Sequence, residues 1–555
     1  MQRLLVKGLF YTLIARIWLG CGPADEELFH SLAGFTGKSV LVGIDMSHGS
    51  PPAFLGTEIS ASFLDKIQIS TQNPILFPKS RGNGNPLTQL GIFSFEAKNH
   101  TALSTFLGSL RGAKQVLFIE PNETYQLFES KPQPVDWGGL SLLYQESPPW
   151  WNQSIRLPEA MEWLKGRTSL VSVESVVAVF DSGVDIHHVA FLHDKIWQNP
   201  TPGAFGCKDD KWGCNTGINE PGFLGSGDIF PFQTFGHGES CPTGPEGPSG
   251  DCFHGTSVAG LVAGDVQLGG AGVCPVCRVL PVKVMDSHGG RAQVTDESFL
   301  KALIYISKIN EKFPGLVSAI NASFGKKHRS RIVEFYIERL YEQGTLLVAA
   351  AGNEDTEERM FPAAFSQVIA VTALTRAGQK AAYANFGSWV DIAAPGGDEG
   401  EPQGLILSLI PGSGLGLSQG TSMAAPFVAG VLGFHAALYP EFSAAKRRQA
   451  LLQSANSSLY DPAAEDGINA DAYLVEVDGE KRPLLGHGKL DVVQFLKGED
   501  VSAERAYEPL PERVQRGCGM IGLSGFQVGE RNSGLLVLML FSPVLVAAYF
   551  RRKRE

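Results

Sequence analysis

Five near-unbroken apolar runs constrain this chain more than any other feature. They are "SVVAVFD" (175–181), "RVLPVKVM" (278–285), "LVSAINASFG" (316–325), "GTLLVAAAGN" (344–353) and "SQVIAVTAL" (366–374). A strand with one wet face alternates apolar and polar residues; a strand apolar throughout is covered on both faces. Helical spacing separates these runs, as in "DESFLKALIYISKI" (296–309) and "RIVEFYIERLYEQ" (331–343). Strands alternating with helices predict an α/β fold, a doubly wound and mostly parallel sheet with helices on both faces. Such sheets place their chemistry at the carboxyl ends of the strands.

Four polar residues stand where that rule expects them. Asp181 ends the strand "VVAVFDSGVD", and Asn353 ends "LLVAAAGNE". His254 opens a small-residue helix in "GDCFHGTSVAGLVAG", and Ser422 opens another in "GLSQGTSMAAPFVAG". Each has an ordinary explanation: a turn residue, a packed core histidine, a turn cap, and an N-cap from Thr421 or Ser422. An acid, a base, an amide and a hydroxyl in one chain also make up a complete hydrolytic set.

These stretches resemble the subtilase family of subtilisin-like serine proteases. "FDSGVD", "HGTSVAG" and "GTSMAAP" match its three signatures in the family's order, over roughly 151–497. The resemblance implies a triad of Asp181, His254 and Ser422, with Asn353 as the oxyanion donor. It also implies that Ser323, Phe324 and Gly325 bind an extended peptide, and that Ala350, Ala351 and Gly352 wall the pocket before the cleaved bond. Glu354 and Met360 map to the rim and base of that pocket, and Phe361-Pro362 to a cis-proline turn. Phe427 replaces a histidine common in relatives, at a position that supports the fold. The implied activity is that of a serine endopeptidase on protein or peptide substrates, either a general one or one dedicated to maturing a single partner. A catalytically dead binding module on the same fold is the alternative from another class. No cofactor is required for the chemistry; the resemblance allows structural calcium, although no ligand set can be mapped.

Residues 36–126 form a smaller unit, with strands in "KSVLVGID", "GIFSFEA" and "AKQVLFIEPN" and a helix in "NHTALSTFLGSLRG". They resemble the family's inhibitory propeptide, a small α+β, ferredoxin-like module, so a further partner of the enzyme is its own propeptide. A Pro-rich stretch, 127–150, reads as a linker, and cleavage is expected between about Tyr125 and Trp150. The interval between Asp181 and His254 is longer than in compact family members. Its Gly/Pro-rich segment, about 201–250, predicts a disulfide-pinned surface insert near the cleft.

The ends read as targeting signals. Residues 1–21 have Arg3 and Lys7 before an apolar run and form a signal peptide. Leu19-Gly20-Cys21 loosely resembles a lipoprotein box, which Trp18 weakens. Residues 533–550 are an apolar stretch just long enough to span a bilayer, and 551–555 a basic tail that stays cytoplasmic. With Cys518 in the Cys-Gly linker 498–532, this end resembles the C-terminal sorting tags of some Gram-negative surface proteins. The chain is therefore expected to be exported to the cell envelope or beyond, membrane-anchored at least transiently. A net charge of −11 with no sizeable basic block argues against nucleic acid as a partner. In an exported chain the six cysteines Cys207, Cys214, Cys241, Cys252, Cys274 and Cys277 predict three disulfides, neighbour pairing being the simplest scheme. Cys274-Pro-Val-Cys277 also has the spacing of a redox pair or half a zinc site.

Overall fold

The computed structural model describes residues 39–46, 59–70, 87–110, 116–128, 133–135, 149–167, 171, 173–218, 220, 222–230, 243–244, 247–248, 251–265, 272–286, 293–401, 403–461, 473–477 and 480–498. The expected signal peptide (1–21), Cys241, residues 499–532 of the expected linker with Cys518, the expected 533–550 span and the basic tail lie outside them.

The N-terminal unit is a four-stranded antiparallel sheet. It contains β1 (Ser39–Asp45), β2 (Ile59–Ser70), β3 (Leu87–Ala97) and β4 (Val116–Pro121), in the order β2-β3-β1-β4, with helix α1 (His100–Leu110). Alternation along the strands divides the side chains between two cores. Val40, Val42, Ile44, Phe93 and Phe95 pack with Phe106 and Leu103 of α1. Leu41, Leu90, Ile92 and Phe118 face the other way and join a core of the larger domain. β2 is absent from the sequence-based expectation, because its polar and charged residues give no apolar run.

After β4 come two short strands, β5 (Thr124–Leu127) and β6 (Gln133–Val135), and two short helices, α2 (Trp150–Ser154) and α3 (Leu157–Leu164). β5 crosses the expected 126/127 boundary between propeptide and linker, so that boundary cuts a strand.

The predicted apolar runs form a parallel sheet. β7 (Ser175–Asp181) leads to the small strands β8 (Cys207–Lys208), β9 (Cys214–Asn215) and β10 (Gly225–Ser226). The hairpin β11 (Thr243–Gly244) and β12 (Gly247–Pro248) follows, then helix α4 (Asp251–Ala263) and β13 (Cys277–Lys283). Next come β14 (Met285–Asp286), β15 (Gln293–Thr295), helix α5 (Asp296–Lys312), β16 (Val317–Ala322), β17 (Phe324–Gly325) and helix α6 (Arg331–Glu342). β18 (Leu346–Ala350), β19 (Val368–Leu374) and β20 (Ile392–Pro395) complete the central strands. The hairpin β21 (Ile406–Ile410) and β22 (Gly414–Ser418) precedes helix α7 (Thr421–Leu438), followed by α8 (Ala444–Ser454) and α9 (Val492–Lys497).

The central order is β20-β19-β18-β16-β7-β13-β9-β10-β8. From β7 the chain first adds β13 on one side, then returns to add β16, β18, β19 and β20 on the other. The order therefore reverses between β7 and β16, the switch point at which such sheets hold their sites. Every residue of β7 is buried. Val177 and Val179 face the core that contains α4, α7, α8 and α9, while Val176, Ala178 and Phe180 face the core that contains α5 and α6. This is the two-sided burial that the unbroken apolar run predicts.

The described part of the long insert differs from the surface appendage expected. β9, β10 and β8 extend the central sheet beyond β13, covering an edge that would otherwise leave backbone groups unpaired. Within it Asp210 is buried and accepts hydrogen bonds from Tyr305 Oη and Asn199 Nδ2, both at 2.8 Å.

Candidate active site

Asp181 is the last residue of β7, and His254 lies in the first turn of α4. Both are fully buried, and His254 Nδ1 lies 2.8 Å from each carboxylate oxygen of Asp181. The Ser182 N–H donates to Asp181 Oδ1 at 2.7 Å, and the Gly255 N–H donates to Ser182 Oγ at 3.1 Å. The acid is thus fixed by its own strand end, and the helix start is tied to the same turn. Gly255 is required by this approach: a Cβ there would sit 2.2 Å from the Gly183 carbonyl oxygen and 3.1 Å from Asp181 Oδ1.

Ser422 is the second residue of α7, which packs against α4. The helix has Gly420 in the capping position with φ 144° and no side-chain cap. Thr421 and Ser422 therefore lie inside the helix rather than capping it, and their side chains are available for other contacts. Ser422 Oγ donates to the Ser323 carbonyl, and Ser323 Oγ donates to the Ser422 carbonyl, both at 3.1 Å. Ser323 Oγ is itself held by Asn321 Nδ2 at 2.9 Å. Ser323 thus pairs with Ser422.

Asn353 follows β18. Its Oδ1 accepts from Thr421 N at 3.0 Å and from Thr421 Oγ1 at 2.9 Å, while Thr421 Oγ1 accepts from Gly352 N at 3.1 Å. With Oδ1 so committed, Nδ2 points outward and donates to the Phe128 carbonyl oxygen at 2.7 Å. The Ser422 N–H approaches the same oxygen at 3.4 Å. Two donors from elements far apart in sequence thus converge on one carbonyl of the chain.

Residues 124–128 lie along the cleft. β5 pairs antiparallel with β17, Phe324 opposite Leu127 and Gly325 opposite Gln126. On its other side β5 pairs with β15, Val294 opposite Tyr125. The Phe128 ring packs on the Gly325 backbone, where an added Cβ would come within 2.6 Å of it. Gln126 Nε2 donates to Glu354 Oε1 at 2.5 Å, and Asn385 Nδ2 holds Glu354 Oε2 at 2.7 Å. Glu354 therefore faces the residue two before Phe128 rather than Phe128 itself. Ala350 and Met360 are buried in the core cluster that contains Phe128, Ala351 is buried beside Ala350 in sequence, and Gly352 has φ 112°. The Phe361–Pro362 bond is cis, and Phe427 is buried in α7.

The N-terminal unit also meets the starts of two helices. Glu120 accepts from Ser330 Oγ (2.9 Å), Arg331 N (3.1 Å), Ile332 N (3.3 Å) and Arg331 Nε (3.1 Å) at the start of α6. Asn122 Oδ1 accepts from Glu297 N at the start of α5. A carboxylate there meets unpaired N–H groups and the positive end of the helix dipole.

Sequence reasoning reaches Tyr125 and Phe128 only as part of the broad interval expected to hold the cleavage point, and it misses Asp296, Lys326 and the locking role of Thr421. The first two carry only a weak signal, two aromatic residues spaced by "QL" just before a Pro-rich stretch. Cys207–Cys214 and Cys274–Cys277 are disulfides, which makes the second pair a crosslink rather than half a zinc site. Cys241 of the third predicted pair lies outside the described residues, as does the 129–132 connection. Among the described residues no group of three or more His, Cys, Asp or Glu side chains gathers to hold a metal. The one helix there long and apolar enough to cross a membrane is Thr421–Leu438, which is wholly buried and carries Ser422.

A family model described as the subtilase family, peptidase S8, matches residues 173–479. The chain is 34% identical over 180 residues to a thermophilic serine proteinase of Bacillus sp. (strain AK1), covering 32% of this chain and 41% of that protein. It is 35% identical over 185 residues to the major intracellular serine protease of Bacillus subtilis (strain 168), covering 32% of this chain and 53% of the relative. Against a subtilisin from Bacillus pumilus it is 33% identical over 215 residues, 37% of this chain and 72% of the relative. The chain spans about half the length of most curated relatives it matches.

Proposed function

The chain belongs to the subtilase family, and from that premise we propose that it is a serine endopeptidase made as a self-processing zymogen, with Asp181, His254 and Ser422 as its triad. One observation carries the reading. The Phe128 carbonyl oxygen lies 2.7 Å from Asn353 Nδ2, beside Ser422 N, on a segment paired as an added strand to β17. That is the pose of a substrate whose scissile bond is Phe128–Glu129.

The chemistry follows from the residues. Ser422 Oγ attacks the Phe128 carbonyl carbon once its proton passes to His254, so the hydroxyl must leave its hydrogen bond to the Ser323 carbonyl. Asp181 holds the imidazole by Nδ1 and stabilises its charged form. The tetrahedral oxyanion takes the place of the Phe128 oxygen and is met by Asn353 Nδ2 and Ser422 N. His254 then protonates the departing amine of Glu129, and water releases the acyl group by the reverse sequence.

Residues 36–128 are the propeptide in this reading. The strand order β2-β3-β1-β4 and the Glu120 and Asn122 contacts support a module that docks on α5 and α6 and leaves its tail in the cleft. Export and membrane anchoring rest on the terminal segments of the sequence alone.

The test uses the full-length wild type and Ser422→Ala with a fluorophosphonate probe. The wild type should label at Ser422 and release a fragment whose new N-terminus is Glu129; the variant should do neither. A wild type that neither labels nor processes itself supports the non-enzymatic alternative, and cutting at another bond refutes the assignment of Phe128.

A further inference from the structure

We propose that the cleft selects a tyrosine three residues before the attacked carbonyl, and that Asp296, held by Lys326, is the group that reads its hydroxyl. The inference rests on the endopeptidase reading and narrows its substrates to chains with tyrosine at that position.

Tyr125 occupies a closed pocket. Its ring stands edge-on to Phe299 at 5.5 Å and to Phe324 at 5.4 Å, and Val294 pairs with it across β15. Aromatic walls alone would hold phenylalanine as well as tyrosine, because a hydroxyl added in an apolar pocket is weakly discriminated. The floor of this pocket is different. Tyr125 Oη donates to Asp296 Oδ1 at 2.7 Å, and Asp296 is fully buried. Lys326 Nζ lies 2.6 Å from Asp296 Oδ2 and 5.0 Å from the Tyr125 ring centroid. The remaining donor to the carboxylate is the Glu123 N–H, at 2.9 Å to Oδ2. Oδ1 is thus turned toward the hydroxyl, while its partner oxygen takes the ammonium and the backbone.

A phenylalanine here would fill the same walls and leave Oδ1 facing a ring edge. A buried charged acceptor deprived of its donor is the condition under which a site rejects the analogue that lacks the hydroxyl. Burial pushes the Asp296 carboxyl above the usual carboxylate range, and the Lys326 ammonium, the Glu123 N–H and the Tyr125 hydroxyl all act against that rise. The neighbouring contacts do less. Glu123 meets Lys326 and His328 at 3.1 Å, but it is partly exposed and His328 is largely so. The solvent-facing Glu123–His328 pair contributes little, and neither contact of Glu123 reaches the Tyr125 hydroxyl.

The test uses full-length chain incubated until it has cut itself, and three fluorogenic hexapeptides. One is Glu-Thr-Tyr-Gln-Leu-Phe, one carries phenylalanine in place of tyrosine, and one carries O-methyltyrosine. Tyrosine should exceed phenylalanine roughly tenfold or more in kcat/KM, the scale of one hydrogen bond to a charged group, and the O-methyl peptide should be poorest. In Asp296→Leu the tyrosine-to-phenylalanine ratio should fall to about one, and Asp296→Asn, which keeps an acceptor, should retain part of it. The ratio is taken within one preparation, so loss of folded enzyme cancels. If Asp296→Leu does not fold, the wild-type ratio decides alone. A wild type that labels with fluorophosphonate yet cleaves both peptides within about twofold, or cleaves none, overturns this inference only. A chain that neither labels nor cleaves removes the endopeptidase reading and this inference with it.

Discussion

Asn353 has two tasks, and substitution should separate them. Its Oδ1 accepts from Thr421 N and Oγ1 at the start of α7, and its Nδ2 donates to the carbonyl in the cleft. Asn353→Ala removes both. The catalytic loss should be the larger. The Ser422 N–H reaches the same oxygen only at 3.4 Å, beyond the usual range for such bonds, whereas Asn353 stands at 2.7 Å. The cost known for an oxyanion-hole asparagine in subtilisin itself is about 2.7–4 kcal/mol, roughly a hundredfold to a thousandfold in kcat. The shorter bond here places Asn353 toward the upper end. Because the bond strengthens as charge develops, the loss should fall on kcat and leave KM nearly unchanged. Losing the helix-start acceptor should cost about 1 kcal/mol, roughly 1–2 °C in Tm for a domain of this size. Asn353→Asp keeps the acceptor and loses the donor, so it should recover Tm without recovering kcat. Steady-state kinetics on a peptide substrate and thermal unfolding of the three proteins check this. An alanine variant within about tenfold of wild type in kcat, or one whose defect lies wholly in KM, would refute the assignment.

Two further outcomes are expected. Glu120→Ala removes the carboxylate that meets the start of α6, so the cut N-terminal segment should inhibit in trans roughly tenfold or more weakly; an unchanged inhibition constant would show that this contact contributes nothing to docking. His435, buried in α7 and stacked on Phe495 at 4.4 Å, has its pKa pushed down to about 3 by burial, with the Arg447 and Lys446 charges adding to it. Its folded pKa lies below the ordinary value, so folding favours the neutral ring, and stability is full above about pH 6.5 and falls as pH drops toward 3. Each unit in that window costs about 1.4 kcal/mol. Urea unfolding of His435→Leu should therefore lose about 2.5 kcal/mol less than wild type between pH 6.5 and 4.5, and parallel curves would exclude the histidine as the source.

Much of the architecture was written locally, and for a physical reason. A strand buried on both faces must be apolar at every position, so β7, β16, β18 and β19 announce themselves, and helices between them leave only a parallel arrangement. Asp181, Asn353, His254 and Ser422 were legible because each sits at a strand end or helix start within a few residues of the pattern that places it. Other features were decided by contacts between distant residues. β2 alternates polar and apolar residues only in two short stretches broken at Leu64-Asp65, where its register with β3 shifts, and its place is fixed by that pairing. The insert reads as a surface loop until β9 is seen to pair with β13. Thr421 and Ser422 are good capping residues by type, yet Gly420 occupies the cap and frees Thr421 to lock Asn353. The widest gap lies at residues 124–128, where the alternation of Thr124-Tyr125-Gln126-Leu127 is too short to say what the strand pairs with. Their place follows from the register of β5 between β15 and β17 and from a carbonyl meeting Asn353, 225 positions away. Short-range pattern fixes which groups a strand or helix can present; which of them meet is set by packing between segments far apart in the chain, where no local signal exists to record it.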